Sequence, residues 1–243
     1  MITLDLESYL TETAPQTPIL QLLFKDVAPS IFLEIGACEG EDSIRYLKLF
    51  PEIHLYAFEP HPGNIAKIRQ NPLLVSNPRF SLFEMAVSDH EGECQFHLSS
   101  GQPEQNEQIG EWDYGNKSSS IFAPSKLMDK FVPWLKFRDS ITIQSTTIQA
   151  LFNEHHWPRV DFLHMDVQGA ELAVLRGGLN QLQRVRSIWL EVSFHQIYED
   201  QAKPSEIEAL LASRGFLKVF EKVDSGFGDQ FYVNTSAFHV TPC

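Results

Sequence analysis

Short apolar runs alternate with helix-length segments along most of this chain, and that alternation limits the possible folds more than any other feature. Ile31–Ile35 (IFLEI), Ile53–Phe58 (IHLYAF), Phe80–Val87, Ile141–Thr147, Val160–Val167 (VDFLHMDV) and Arg186–Ser193 are brief and rich in β-branched and aromatic residues. Buried parallel strands have that character. Helices are expected over Ile19–Val27, Glu39–Phe50, His61–Asn71, Ile148–His155, Glu171–Gly177 and Ser205–Arg214. Ser205 is the expected N-cap of the last, and Gly215 ends it. Strand–helix alternation implies a parallel sheet covered on both faces. Leu217–Val223 and Gln230–Asn234 flank a Gly-containing turn and predict an antiparallel hairpin at the C-terminal edge. EGECQFHL, ending at Leu98, alternates and predicts one added strand.

The 243 residues suit a single α/β domain, 1–243, opening with a helical or leader segment at 1–30. Residues 99–140 break the alternation. They are polar and rich in Gly and Ser, yet contain Trp112, Tyr114, Phe122 and Trp134, so they read as a lid or acceptor-binding insertion. Lys plus Arg is 19 against 32 Asp plus Glu, a net charge of −13. That balance disfavours a grip on nucleic-acid phosphates or an anionic membrane. Cys38, Cys94 and Cys243 are scattered and odd in number, which indicates neither a disulfide framework nor a zinc site. No run approaches the roughly 18 apolar residues of a membrane span. The expectation is a reduced, cytoplasmic, soluble protein of undetermined oligomeric state.

Ligands of open α/β sheets bind beyond the carboxyl ends of the strands. The first strand ends in LEIGACEG, with Gly36 and Gly40 spaced to let backbone pass close to a ligand. A dinucleotide fingerprint from Gly36 would need glycine where the chain has Cys38 and Glu41, so a dehydrogenase is disfavoured. No Gly-Lys-Ser/Thr follows, so this is not a P-loop. Glu34, Glu39, Glu41 and Asp42 would repel a pyrophosphate. Glu59 ends the second strand, where a carboxylate can accept from both hydroxyls of a ribose. A phosphate-free, cationic adenosyl ligand meets these conditions, and S-adenosylmethionine is such a compound. The simpler alternative is a tight turn whose acids only cap a helix N-terminus.

Four segments, LEIGACEG, AFEPHPGN, AVSDHEGECQFHL and HMDVQGAELAVLRGG, together resemble the FkbM-type family of class I methyltransferases over about residues 30–235. The resemblance implies a three-layer, Rossmann-like methyltransferase fold with a mostly parallel seven-stranded sheet. It also implies S-adenosylmethionine as donor, and usually O-methylation of a sugar or natural-product hydroxyl. Glu34, Gly36, Ala37, Cys38 and Gly40 match its first motif, and Glu59 with Pro60 its ribose acid. Ala86, Val87 and Asp89 would lie near the adenine and Asp166 near the methionine end. The family commonly has Asn at the position of Cys38 and often Asp at that of Glu34.

Asp166 and Glu191 end two further strands, with His195 just beyond. If those strands are neighbours, the three groups can converge over the donor methyl. A hydroxyl acceptor needs a base. His195 is the first candidate and Asp166 the second, with a capping or loop role for His195 equally open. Asp166, Glu191 and His195 are an alternative Mg²⁺ set, but ordinary rim carboxylates without metal is the reading adopted. Ser118, Ser119 and Ser120 offer hydroxyls to a small-molecule acceptor, and Trp112, Tyr114 and Trp134 offer flat faces. An amine or peptide acceptor, and a non-catalytic binding protein that keeps the fold, are the alternatives.

Overall fold

The structure is a computed structural model that describes residues 9–10, 12–103 and 114–238. Its main sheet has seven strands: β1 (Ile31–Ile35), β2 (His54–Phe58), β3 (Phe80–Phe83), β7 (Phe162–Met165), β8 (Ser187–Ser193), β9 (Phe216–Asp224) and β10 (Phe227–Asn234). Their order is β3-β2-β1-β7-β8-β10-β9. The first five run parallel, and β10 lies antiparallel between β8 and β9. This is the mostly parallel sheet with a C-terminal hairpin that the alternation implies.

Side chains one residue apart on a strand point to opposite faces, and each face meets its own helices. Leu33, Ile35, Leu163, Met165, Ile188 and Leu190 pack with residues of α6 (Ile148–His155), α7 (Glu171–Arg176) and α8 (Pro204–Ser213). Phe32, Leu55, Ala57, Phe162 and Trp189 pack with residues of α1 (Thr17–Leu23), α2 (Glu41–Leu49), α3 (Pro62–Gln70) and α4 (Pro72–Val75). The result is a three-layer α/β sandwich. Register aligns the carboxyl ends of the central strands: Ile35 pairs with Phe58 and Met165, Phe58 with Phe83, and Met165 with Leu190. Everything just past those residues shares one rim.

A second sheet of three strands has the order β4 (Ala86–Ser88), β6 (Lys136–Thr147), β5 (Gly92–Ser100). It corrects two expectations. Phe80–Val87 is not one strand, because the chain leaves the main sheet after Phe83 and re-enters pairing at Ala86 against Ser145. Glu84 at the break pairs instead with Arg69. The insertion is also shorter than 99–140, since Ser99 and Ser100 pair with Phe137 and Lys136. Only residues 101–135 lie outside that ladder. Within them are the 3₁₀ helix Tyr114–Ser118 and α5 (Met128–Phe131). Helix α8 begins at Pro204 with Lys203 as its N-cap, not Ser205. Proline's fixed φ suits a first turn, and the Glu206 carboxylate accepts from the Lys203 N–H at 2.9 Å. No helix of the described residues is long and apolar enough to cross a membrane.

Candidate active site

The turn after β1 is built around one glycine. Gly36 has φ 87, and a Cβ there would lie 1.9 Å from the Asp166 carbonyl oxygen. No other residue type fits, because the obstacle is backbone. Gly36 and Ala37 donate to the Phe58 carbonyl at 2.9 and 3.1 Å, which ties the turn to the end of β2. Glu59 ties it again. Its Oε2 accepts from the Cys38 N–H and its Oε1 from the His61 N–H, each at 2.7 Å. Burial pushes Glu59 up to about 8, against the pull of those two donors.

This turn forms one wall of a cavity of about 240 Å³. Glu34, Gly36, Ala37, Cys38, Glu59, Pro60, Ala86, Val87 and Asp166 all line it. Two residues expected there do not. Gly40 has φ 83, caps α2 and faces Leu74, whose Cδ1 would be 2.4 Å from an added Cβ. Its glycine serves helix entry and packing. Asp89 is half-exposed and bonds His90 at 2.8 Å, which holds its carboxyl below the usual range.

Glu34 is 1% exposed and accepts from the Ser43 hydroxyl. Burial, then the nearby Asp42, pushes it well above the usual carboxylate range. Its register partner His164 shares the same face, with Nδ1 3.2 Å from the Tyr46 hydroxyl and 3.9 Å from Glu34 Oε1. Burial lowers the His164 pKa. Glu34, Asp42 and His164 place ligand-type atoms within 4.8 Å of one another. All three are already engaged: Glu34 by Ser43, His164 by Tyr46, and Asp42 by Arg45 at 2.6 Å.

A second cavity of about 380 Å³ adjoins the first. Asp166 and Lys117 line both. Glu171, Glu191, Gln168, Tyr198, Trp134 and Ser118 line the second alone. Burial, then Asp166, Glu171 and Asp229, pushes Glu191 well above the carboxylate range. Burial also carries Glu171 and Asp229 to about 7. Asp166 and Glu191 do come together, as adjacent parallel strands require.

His195 does not join them. Its ring stacks on Phe131 at 3.8 Å and its Nε2 lies 3.1 Å from the Ser225 carbonyl oxygen, in a separate surface groove with Phe194 and Lys203. The Ser193 hydroxyl accepts from the His195 N–H and so turns the chain outward directly past β8. That placement removes His195 as the base at the cavity junction, and with it the Asp166–Glu191–His195 alternative for Mg²⁺.

The serines divide three ways. Ser118 lines the second cavity, where its carbonyl accepts from Tyr198. Ser119 faces the first cavity and bonds Ser99. Ser120 is buried, and its hydroxyl donates to the Gln168 carbonyl at 2.8 Å. Phe122 packs against the small cluster of Met128, Leu135, Ile197 and Tyr198. Tyr114 opens the 3₁₀ helix, and Trp112 lies outside the described residues.

Sequence reasoning missed Gln168, Tyr198, Asn116 and Lys117. Asn116 donates to Glu39 at 3.0 Å and Asn64 at 2.8 Å, and the Lys117 ammonium donates to Glu41 at 2.5 Å. These contacts strap residues 116–117 across the first cavity. Gln168 alone left a signal, through its place between Asp166 and Gly169.

The strand order, the glycine turn and the acid after β2 define a class I methyltransferase architecture. The FkbM methyltransferase domain model matches residues 34–218, and the chain belongs to that family. It is 35% identical over 185 residues to the 2-O-methyltransferase NoeI of Sinorhizobium fredii, covering 75% of this chain and 71% of that protein. Among solved structures it is similar to the precorrin-6y C5,15-methyltransferase of Geobacter metallireducens, at 12% identity and TM-score 0.44, covering 91% of this chain and 92% of that one. It is also similar to the N-terminal domain of EvdMO1 with SAH bound, at 12% identity and TM-score 0.48, covering 94% and 83%.

Proposed function

We propose that this methyltransferase carries the methyl group of S-adenosylmethionine to a hydroxyl of a sugar or natural-product small molecule, with Asp166 taking the hydroxyl proton. One observation carries the reading: a phosphate-averse cavity and a second cavity meet at the Asp166 carboxylate. The 2-O-methylation in the relative's name supports an oxygen acceptor.

When bound, S-adenosylmethionine supplies an electrophilic methyl on a cationic sulfur. Glu59 would hold the ribose diol through its carboxyl oxygens, Glu34 and Asp42 would hold the ammonium group, and Ala86 and Val87 would hold the adenine. The acceptor enters the second cavity past Trp134 and Ser118, and Asp166 orients its hydroxyl toward the methyl. Alignment is the main contribution, since in-line displacement depends on geometry. The bound donor would supply a methyl carbon open to the acceptor oxygen and a sulfur able to leave with the bond's electron pair as a neutral thioether. The hydroxyl proton passes to Asp166. The chain acts as a single methyltransferase domain with 101–135 inserted. A cytoplasmic setting suits the free thiols of Cys38 and Cys94.

The test incubates the protein with methyl-labelled S-adenosylmethionine and a panel of glycosides and polyols, with and without EDTA. The expected product is a labelled ether, formed equally with EDTA. Asp166→Asn lowers turnover by about 100-fold or more, the scale of a lost general base, while His195→Ala retains it. Label found only in amines, or in no acceptor, contradicts the proposal.

A further inference from the structure

Gln168 adopts a backbone conformation that residues with side chains avoid, with φ 53. Strain of this kind persists where the surroundings enforce it. Here the Ser120 hydroxyl holds the Gln168 carbonyl at 2.8 Å, and Gly169 continues the bend with φ 94. The bend turns the side chain back over the end of β7. Its Nε2 lies 2.6 Å from Asp166 Oδ1 and 2.7 Å from Glu191 Oε2. Its Oε1 lies 2.9 Å from the Tyr198 hydroxyl, whose single proton is shared between that oxygen and the Ser118 carbonyl at 2.7 Å. The reversed amide would set an oxygen against two carboxyl oxygens at those same separations. The N–H groups therefore face the carboxyls, one for each.

We propose that Gln168 is a positioning residue: its two N–H groups clamp Asp166 and Glu191 at the boundary of the cavities, so that Asp166 presents its second oxygen to the acceptor. The inference rests on the reading of Asp166 as proton acceptor. Asp166 and Glu191 are adjacent, bridged by the one amide nitrogen. Desolvation and the neighbouring Asp166 both act against charge on Glu191. Glu171 of α7, Asp229 of β10, Tyr198, His164 of β7 and Lys117 are the other titratable groups around the pair. Lys117 is the cation among them, and Glu41 holds its ammonium. With acids in the majority, the two N–H donors of Gln168 are the groups that hold the two carboxyls side by side. The clamp lies on the second cavity's side of Asp166, where Tyr198 also lines the wall.

The test compares the full-length protein with Gln168→Met, which keeps the side chain's length and removes both donors. Carboxyl ¹³C NMR titration, assigned with Asp166→Asn and Glu191→Gln, reads the pair without any substrate. Loss of the donors is expected to move the Glu191 ionisation further upward by about one pH unit, the scale of one charge-assisted hydrogen bond. With an acceptor from the methylation panel, kcat is expected to fall at least about tenfold, its alkaline-rising limb moves by the same amount, and acceptor KM and donor affinity change less than about twofold. Gln168→Asn, which keeps an amide, recovers part of the rate. An unmoved titration overturns the clamp, as does a kcat within twofold of the parent. If the parent methylates no hydroxyl, the assigned function fails, while the NMR titration still decides the clamp.

Discussion

Glu59 performs two tasks with one carboxylate. It braces the Cys38 and His61 N–H groups, and it presents its remaining lone pairs to the first cavity. Its pKa, raised by burial from 4.5 to about 8, gives a stability signature. Between those values the folded protein holds a proton that the unfolded chain has released, so stability falls as pH rises through that window. Glu171 and Asp229, each raised to about 7, act in the same direction. In Glu59→Gln, thermal unfolding between pH 5 and 8 is expected to fall less steeply than in the parent. The same variant, able to accept on one side only, weakens donor affinity by about 1.5–3 kcal/mol, the worth of a charge-assisted hydrogen bond. An unchanged pH slope together with unchanged affinity contradicts both tasks. Residues such as Glu34, Gly36 and Glu59 were legible in the sequence because a strand end fixes their position. His195 was not, because a residue beyond a strand end has no fixed direction, and the Ser193 turn sends it outward.

At the scale of elements, the strap across the first cavity deserves the closest test. The 3₁₀ helix Tyr114–Ser118 is held to the start of α2 by Lys117 and Glu41 and to α3 by Asn116 and Asn64. The ion pair is sheltered, with side chains 27% and 7% exposed, so water screens it less than a surface pair. A ligand that leaves on the strap's side of the cavity breaks these contacts. Lys117→Ala is therefore expected to speed release of S-adenosylhomocysteine about three- to tenfold in stopped-flow measurements, consistent with a modest ion pair. An unchanged release rate shows that the strap does not gate the cavity. None of this was visible in the sequence beyond an aromatic, serine-bearing insertion. The Tyr198–Ser118 hydrogen bond spans 80 residues and the Lys117–Glu41 bond 76, separations that local patterns do not encode. The same limit hid the ends of the insertion. Lys136–Ser140 is mostly exposed and so lacks the apolar alternation that marks a strand.

For the molecule as a whole, the sheet was the most legible feature, because β1, β7 and β8 are buried on both faces and so read as continuous apolar runs. Their shared rim gathers more acids than bases, with Lys117 and His164 the basic residues of the described lining, and this is why the first cavity suits a cationic nucleoside without phosphates. Glu34, Glu41, Asp42, Glu59 and Asp166 all line it. Among the described residues of the lining, a pyrophosphate would find Lys117, already paired with Glu41, as its one cationic side chain, whereas a sulfonium and an ammonium would face carboxyl groups able to accept from or pair with them. Calorimetric titration of the full chain with S-adenosylmethionine and, in parallel, with NAD tests that charge logic most directly. Saturable binding of the sulfonium ligand at micromolar concentrations, with none of the dinucleotide, is the predicted result. Binding of NAD without S-adenosylmethionine would contradict it.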